Sequence, residues 1–360
     1  MKKIIINCND CFSAYNFRLG LIKELKNYYE VFVVAKFDKY TPLLQQENIK
    51  VITINTDATS LRLRENFQHI REYHRIFKSI NPDLIINYTI KPHLYGTLFA
   101  PKRCKVINFV SGVGSVFEKR NFFFKIIRCF YRFTSKKVDH YIFLNEDDYM
   151  LFSELEILRQ PHTILPGEGI DMEKFIPEVN LNKPITFIFI GRLIEEKGIR
   201  LYLEAAKIFK RRFPEVNFWV AGDFYRKKTS IKKSELISYE TSGIVKYLGY
   251  RFDINVILRD VHVVVLPSYR EGMPFSLMEG LASKKFLIAS DVPGCKDVVV
   301  DGYNGFLFRS GSTYDLVLKM EKYLKNDNKE ELHNNALTSA SKYDQKKIIP
   351  EIIGLIQEII

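Results

Sequence analysis

The sequence predicts an α/β protein made of two doubly wound parallel sheets. Short runs rich in Ile, Val and Phe recur along the chain, each followed by a stretch with helical periodicity. Several of these runs do not alternate polar and apolar residues, so both faces of each strand are expected to be buried. A length of 360 residues fits two or three domains at roughly 150 residues each, and the runs fall into two series, which selects two. Strand–helix alternation of this kind implies parallel sheets with right-handed crossovers.

In the first series the expected strands are Ile4–Cys8, Val31–Val34, Val51–Ile54, Leu84–Tyr88, Val106–Val110 and His140–Leu144. In the second they are Ile185–Ile190, Val216–Ala221, Ile244–Leu248, Val261–Leu266 and Phe286–Ala289. Between the series lies the densest Pro/Gly stretch, with Pro161, Pro166, Gly167, Gly169, Pro177 and Pro184. It marks a seam. The expected organisation is a first domain over 1–165, a hinge over 166–184, a second domain over 185–345 and a terminal helix over 346–360. Ligands of open parallel sheets bind beyond the carboxyl ends of the strands, so the expected site lies in a cleft that the two sheets face.

Composition narrows the classes. Apolar residues make up 46% and charged residues 27%, which excludes collagen-like and disordered chains. Lys plus Arg number 54 and Asp plus Glu 42, so the formal charge is 54 − 42 = +12, which points to an anionic partner. No segment reaches the ~18 uninterrupted apolar residues of a membrane span. The start, Met1–Cys8, is too short for a signal-peptide core and reads as a buried strand. Five cysteines without framework spacing suit a reducing cytoplasm. Cys8 and Cys11 form a C-x-x-C, but no second pair accompanies it, so they read as small core residues rather than as a zinc or redox site.

Five segments bear on chemistry. The strand ending at Ile190 runs into Gly191-Arg192 and then Lys197-Gly198. Gly191 lets the backbone approach a ligand, Arg192 can fork onto phosphate oxygens and Lys197 adds a point charge. Taken alone they are two surface cations in a loop. The strand Val261–Leu266 runs into Glu271-Gly272-Met273-Pro274-Phe275-Ser276, with Pro274 expected at the first helical position. The amides of Phe275 and Ser276 then form an anion site at a helix N-terminus. Glu271 there also suits the helix dipole. Glu279, eight positions later on a mainly apolar helix, has no such explanation and can accept hydrogen bonds from ribose hydroxyls. Leu165–Asp171 carries turn glycines on the seam. Ser111-Gly112-Val113-Gly114 is a G-x-G whose third glycine is replaced by Phe117.

The fifth segment, Lys119–Lys137, holds seven basic residues and no acidic one. Lys125, Arg128, Arg132 and Lys136 are spaced for one helix face, with Phe123, Ile126, Ile127, Phe130, Phe133 and Thr134 on the other. An ordinary surface helix would bury that aromatic face. The acid-free cationic spacing beside Phe122 and Phe124 favours an amphipathic helix on an anionic membrane surface.

In combination the hinge Pro166–Asp171, the Gly191–Gly198 loop, Leu248–Asp253 and the Glu271–Glu279 segment resemble the retaining GT-B glycosyltransferases of family 4. Asn87–Pro92 and Phe109–Gly114 resemble bacterial members that extend undecaprenyl-diphosphate-linked glycans of capsule, O-antigen or protein glycosylation. The resemblance implies two Rossmann-like domains facing across a cleft, with the C-terminal helix crossing back. It implies Arg192 and Lys197 on the donor diphosphate, Glu279 on ribose and Glu271 on the transferred sugar. Gly191 and Gly272 to Ser276 would line sugar and phosphate, and Gly249, Tyr250 and Arg251 would border the base. The donor expected is a UDP-sugar of HexNAc type. The acceptor is a polyprenyl-diphosphate-linked glycan at the inner face of the membrane, with no further cofactor, no metal and no nucleic acid. There is no Asp-x-Asp of the metal-bridged transferase architecture. Many relatives carry a glycine-rich first loop where this chain has Cys11–Arg18, some carry a histidine near Ser111 where this chain has none, and relatives often carry Gly and Glu near Asp297.

Two competing readings are a GT-B sugar-nucleotide epimerase and a basic non-catalytic nucleic-acid binder. The first needs histidines and carboxylates converging on a sugar, and none of the seven histidines lies in these segments. Epimerised donor formed without acceptor would favour it. The second rests on the +12 charge and the basic, aromatic-rich segment Lys119–Lys137, and salt-dependent RNA or DNA binding without donor turnover would favour it.

Overall fold

The computed structural model describes residues 1–54, 63–113, 122–225 and 229–360. Its contacts divide into two units, residues 1–169 with 345–360 and residues 170–344. The first holds a seven-stranded sheet in the order β3-β2-β1-β4-β5-β6-β7. These are β1 (Lys3–Asp10), β2 (Glu30–Lys36), β3 (Lys50–Ile54), β4 (Leu84–Tyr88), β5 (Lys105–Val110), β6 (His140–Phe143) and β7 (His162–Ile164). The second holds a six-stranded sheet in the order β10-β9-β8-β11-β12-β13. Its strands are β8 (Thr186–Ile190), β9 (Asn217–Ala221), β10 (Lys246–Gly249), β11 (Val263–Leu266), β12 (Phe286–Ser290) and β13 (Gly305–Phe308). Every pairing between them is parallel.

The unbroken apolar runs account for this. Ile4, Ile5 and Ile6 are fully buried, as are Val263, Val264 and Val265, because helices cover both faces of each sheet. The order reverses beside β1 in one unit and beside β8 in the other, and these switch points are where ligands of such sheets bind.

Under the first sheet's centre lies a polar ladder. Asn7, Asn87 and Asn108 are direct neighbours across β1, β4 and β5. Asn7 donates to Asn87 at 2.8 Å, Asn87 donates to Asn108 at 3.0 Å, and the Tyr73 hydroxyl donates to Asn7 at 2.8 Å.

Four sequence expectations change. Strands β7 and β13 were not anticipated. The segment Cys11–Arg18 is not a loop but the start of a helix, Cys11–Leu25. Asp10 caps it by accepting from the Ser13 amide at 2.9 Å, and Asp38 accepts from the Phe12 amide at 2.8 Å. Two carboxylates therefore occupy the helix end where a phosphate would sit. Finally, the basic helix spans Phe122–Ser135, and its aromatic side is not wholly inside. Tyr131, Thr134 and Ser135 are buried, while Ile126 and Phe133 are 51% and 57% exposed. Lys119–Asn121, the side chains of Phe122–Phe124, and Gly114–Phe117 lie outside the described residues.

Residues 170–184 are tied into the second unit. Lys285 donates to the Glu178 carbonyl, His262 to that of Asn180, and Lys183 pairs with Asp260. The terminal helix, Gln345–Ile359, belongs to the first unit and buries Ile348, Ile349, Ile352, Ile353 and Ile356.

Candidate functional site

The candidate site is built at the carboxyl ends of β8 and β11, the switch point of the second sheet. Gly191 extends β8 by donating to the Ala221 carbonyl at 3.0 Å. A short 3-10 turn, Glu195–Lys197, then ends at Gly198, which has φ +71° and starts the helix Ile199–Lys210. A Cβ on Gly198 would lie 1.8 Å from the Pro267 carbonyl oxygen, so only glycine allows the two loops to touch there. The Tyr269 amide donates to the Glu196 carbonyl at 3.0 Å and fastens the same contact.

This approach delivers Lys197 to Glu271. The ammonium donates to both carboxylate oxygens, at 2.6 and 2.7 Å. The two side chains are 21% and 10% exposed, so the pair is shielded from bulk water. An ammonium has three N–H donors and Glu271 takes two, which leaves one for a further anion. Glu271 is held in turn by its amide, which donates to the Pro293 carbonyl at 3.2 Å.

Gly272, Met273 and Pro274 are buried and lead into the helix Phe275–Ala282. Pro274 is not the first helical residue but the cap, with φ −79° and ψ 110°. Its carbonyl accepts from the amides of Leu277 and Met278, and having no N–H it leaves no donor unmet. Phe275 and Ser276, both half-buried, form the first turn, whose amides point out of the helix end. Glu279 sits one turn further on. Its carboxylate has no hydrogen-bond or salt-bridge partner among the described residues, and burial pushes it up to about 7.

Four expected residues stand apart from this core. Arg192 is exposed, and its guanidinium lies 5.3 Å from the ring centre of Tyr225. No contact among the described residues joins it to Lys197 or Glu271. Gly249 accepts from the Gly222 amide at 2.9 Å, which links the ends of β10 and β9. Tyr250 packs edge-on against Phe252, with ring centres 4.9 Å apart. Asp253 accepts from Arg251 at 2.8 and 2.6 Å in an exposed pair. Asp297 accepts from the Gly294 amide at 2.8 Å and so caps a short helix.

Ser268 and Ser290 were missed. Both are fully buried at the carboxyl ends of β11 and β12, with hydroxyls that have no partner among the described residues. The only sequence signal is a small hydroxyl residue within two positions of the end of an apolar run. His262 and His333 sit elsewhere and are committed to structure. His262 accepts from the Thr186 amide, and His333 meets the Tyr323 hydroxyl at 2.8 Å. No group of three His, Cys, Asp or Glu among the described residues could hold a metal.

Comparison with known proteins identifies the family and the fold. The family described as "Glycosyl transferases group 1" matches residues 171–340, and "Glycosyl transferase 4-like" matches residues 8–145. A Campylobacter jejuni relative is 28% identical over 97% of this chain and 96% of its own. It is named N,N'-diacetylbacillosaminyl-diphospho-undecaprenol alpha-1,3-N-acetylgalactosaminyltransferase. An Escherichia coli relative, 26% identical over 72% of this chain and 71% of its own, is named UDP-Gal:alpha-D-GlcNAc-diphosphoundecaprenol alpha-1,3-galactosyltransferase. Sucrose-phosphate synthase from Thermosynechococcus elongatus has the same fold, with a TM-score of 0.82 at 14% identity over 99% of both chains. Anabaena HepE, solved with UDP, gives 0.78 at 18% identity over 99% of this chain and 100% of its own. With two Rossmann-like sheets and both family matches in chain order, the protein belongs to the glycosyltransferases of GT-B fold, a group 1 domain following a 4-like domain.

Proposed function

We propose that this enzyme transfers a HexNAc-type sugar from UDP to a polyprenyl-diphosphate-linked glycan, with retention and without a metal. The observation that carries the proposal is the Lys197–Glu271 pair at the switch point, beside the first turn of Phe275–Ala282. The leaving diphosphate gains most of the charge as the glycosidic bond breaks. The third N–H of Lys197 and the helix-end amides meet that charge, with Arg192 as a further cation. Such fixed donors need no rearrangement as the charge develops. Glu271 orients the ammonium and accepts from a hydroxyl of the transferred sugar, and Gly191 and Gly272 let the backbone close on it. In the retaining course the acceptor hydroxyl attacks from the leaving-group side and the departing phosphate takes its proton, so no dedicated base is required. The name of the Campylobacter jejuni relative supports a HexNAc-type sugar, that of the Escherichia coli relative supports UDP, and both support the lipid-linked acceptor.

Glu279 is assigned to ribose. A carboxylate accepts hydrogen bonds from a diol better than the neutral acid does, and at about 7 its charge changes within the working range. UDP should therefore bind about three- to tenfold more tightly at pH 8 than at pH 6. Glu279→Gln should retain only the slope from the nucleotide's own titration. Calorimetric titration of both proteins checks this, and equal slopes would remove Glu279 from the ribose site.

At the inner face of the cell membrane, the basic helix is the proposed contact with anionic lipid. Ile126, Cys129 and Phe133 form an exposed stripe at helical spacing, flanked by exposed Lys125, Arg132 and Lys136. No helix among the described residues is long and apolar enough to cross a membrane. The test presents polyprenyl-diphosphate glycans in vesicles with a panel of sugar nucleotides and reads nucleotide release. Release is expected with a UDP-HexNAc, from anionic vesicles more than from zwitterionic ones, and Ile126→Asp/Phe133→Asp should abolish that preference. No release from any donor would overturn the function, and indifference to lipid charge would overturn the contact.

A further inference from the structure

The chain passes between its two units twice, and the two passages lie side by side. On the outward passage Gly167, Glu168 and Gly169 end the first unit, and on the return Gln345 re-enters it. Ile170 and Asp344 form a parallel bridge, and the Ile170 amide donates to the Tyr343 carbonyl at 2.8 Å. Gly169 has φ +82° and lies so close to Gln345 that a Cβ would meet its Cα at 2.8 Å. Gln345 rests on the first helix, where a Cβ on Gly20 would meet its Oε1 at 2.5 Å.

The same helix also reaches the outward passage. Arg18 donates to Glu168 at 2.7 Å, and the two side chains are only 4% and 5% exposed. Arg18 is itself fixed. It donates to the Ser13 carbonyl at 2.9 Å, and its guanidinium lies 3.9 Å over the ring of Tyr88 at the end of β4. The pair is poorly satisfied, however, because Glu168 Oε2 has no hydrogen-bond partner among the described residues. Burial pushes Glu168 up to about 7 although Arg18 pulls it down, so desolvation outweighs the attraction. A buried ion pair of this kind contributes little to stability, and apolar residues of similar volume often replace it without loss. Its place in the fold suggests a different use.

We propose that Arg18 and Glu168 are positioning residues for transfer, clamping both chain passages to the first helix so that the transfer-competent conformer predominates. The inference rests on the proposed transfer reaction only for its kinetic readout. Three variants test it: Arg18→Met, Glu168→Gln and the paired apolar change Arg18→Met/Glu168→Leu. Hydrogen exchange at the Ile170 amide should quicken at least tenfold in each. The kcat for transfer should fall at least tenfold, while the Kd for UDP stays within twofold of the parent. The paired change keeps the test sharp, since it should hold its Tm and still transfer slowly. Unchanged exchange at Ile170 would overturn the clamp. So would faster exchange with kcat intact in the paired variant, or a Kd that weakens as much as kcat falls. If the parent itself releases no nucleotide with any donor, the transfer reading fails, and the exchange result still decides the clamp.

Discussion

Lys197→Ala is expected to lower kcat by about 10²–10³-fold, the loss seen when one preorganised donor to a developing oxyanion is removed, or about 3–4 kcal/mol. The structure adds a complication that the experiment must separate. Glu271 is only 10% exposed, and without Lys197 it becomes a shielded charge with no counter-ion. That alone can disturb the loop, since breaking one side of a buried pair is costly. The double variant Lys197→Ala/Glu271→Gln removes the stranded charge. The single Glu271→Gln measures the loss of the sugar contact and sets the baseline. If the ammonium acts on the diphosphate, kcat in the double variant falls well below that of Glu271→Gln. If the two are equal, Lys197 serves only to neutralise Glu271. Arg192→Ala belongs in the same series and is expected in the same range. Its guanidinium lies on Tyr225 rather than in the ion pair, so the two losses report separate contacts. Parent-like turnover in both single variants would refute the phosphate assignment.

The largest effect on stability is expected from Gly198→Ala. Alanine at φ +71° costs about 1–2 kcal/mol for the left-handed backbone. The added Cβ must also displace a backbone oxygen that would stand only 1.8 Å away, and overpacking of this kind costs about 1–3 kcal/mol. Together they amount to about 3 kcal/mol, or a fall of roughly 6–12 °C in Tm for a unit of this size. Gly243→Ala is the control, because Gly243 has φ +67° with nothing within 4 Å of the added Cβ. It carries the backbone cost alone. Calorimetric unfolding of the two variants separates strain from crowding. Equal losses would mean that the loops after β8 and β11 are not held together through Gly198.

The strands were legible because a parallel sheet covered on both faces leaves unbroken apolar runs, such as Ile4–Ile6 and Val263–Val265. The two that escaped notice are short. β7 has three residues, none of them buried, and β13 opens with a glycine. The helix at Cys11 was hidden because its cap, Asp10, and its second anchor, Asp38, are ordinary acidic residues that the fold brings to one helix end. The basic helix misled for another reason. With an aromatic or aliphatic residue at nearly every position not taken by a cation, its sequence defines no single apolar stripe. Only the neighbouring structure decides that Tyr131 and Thr134 turn inward while Ile126 and Phe133 turn out.

The candidate site was legible as separate segments. That Lys197 meets Glu271, 74 positions away, does not follow from spacing. The partnership of Arg18 with Glu168 spans 150 positions and left no trace in the sequence at all.

The asparagines beneath the first sheet settle how its central strands are aligned. Isoleucines and valines are nearly interchangeable along β1, β4 and β5, so a slip of two residues would keep every apolar face inward. It would also strand three buried amides, at about 1–3 kcal/mol for each unmet group. The amides thus act as an alignment key for otherwise uniform strands. By holding β1 and β4 level, they fix the height at which Asp10 and Thr89 leave the sheet. The outer rim of that unit is therefore determined from within its core.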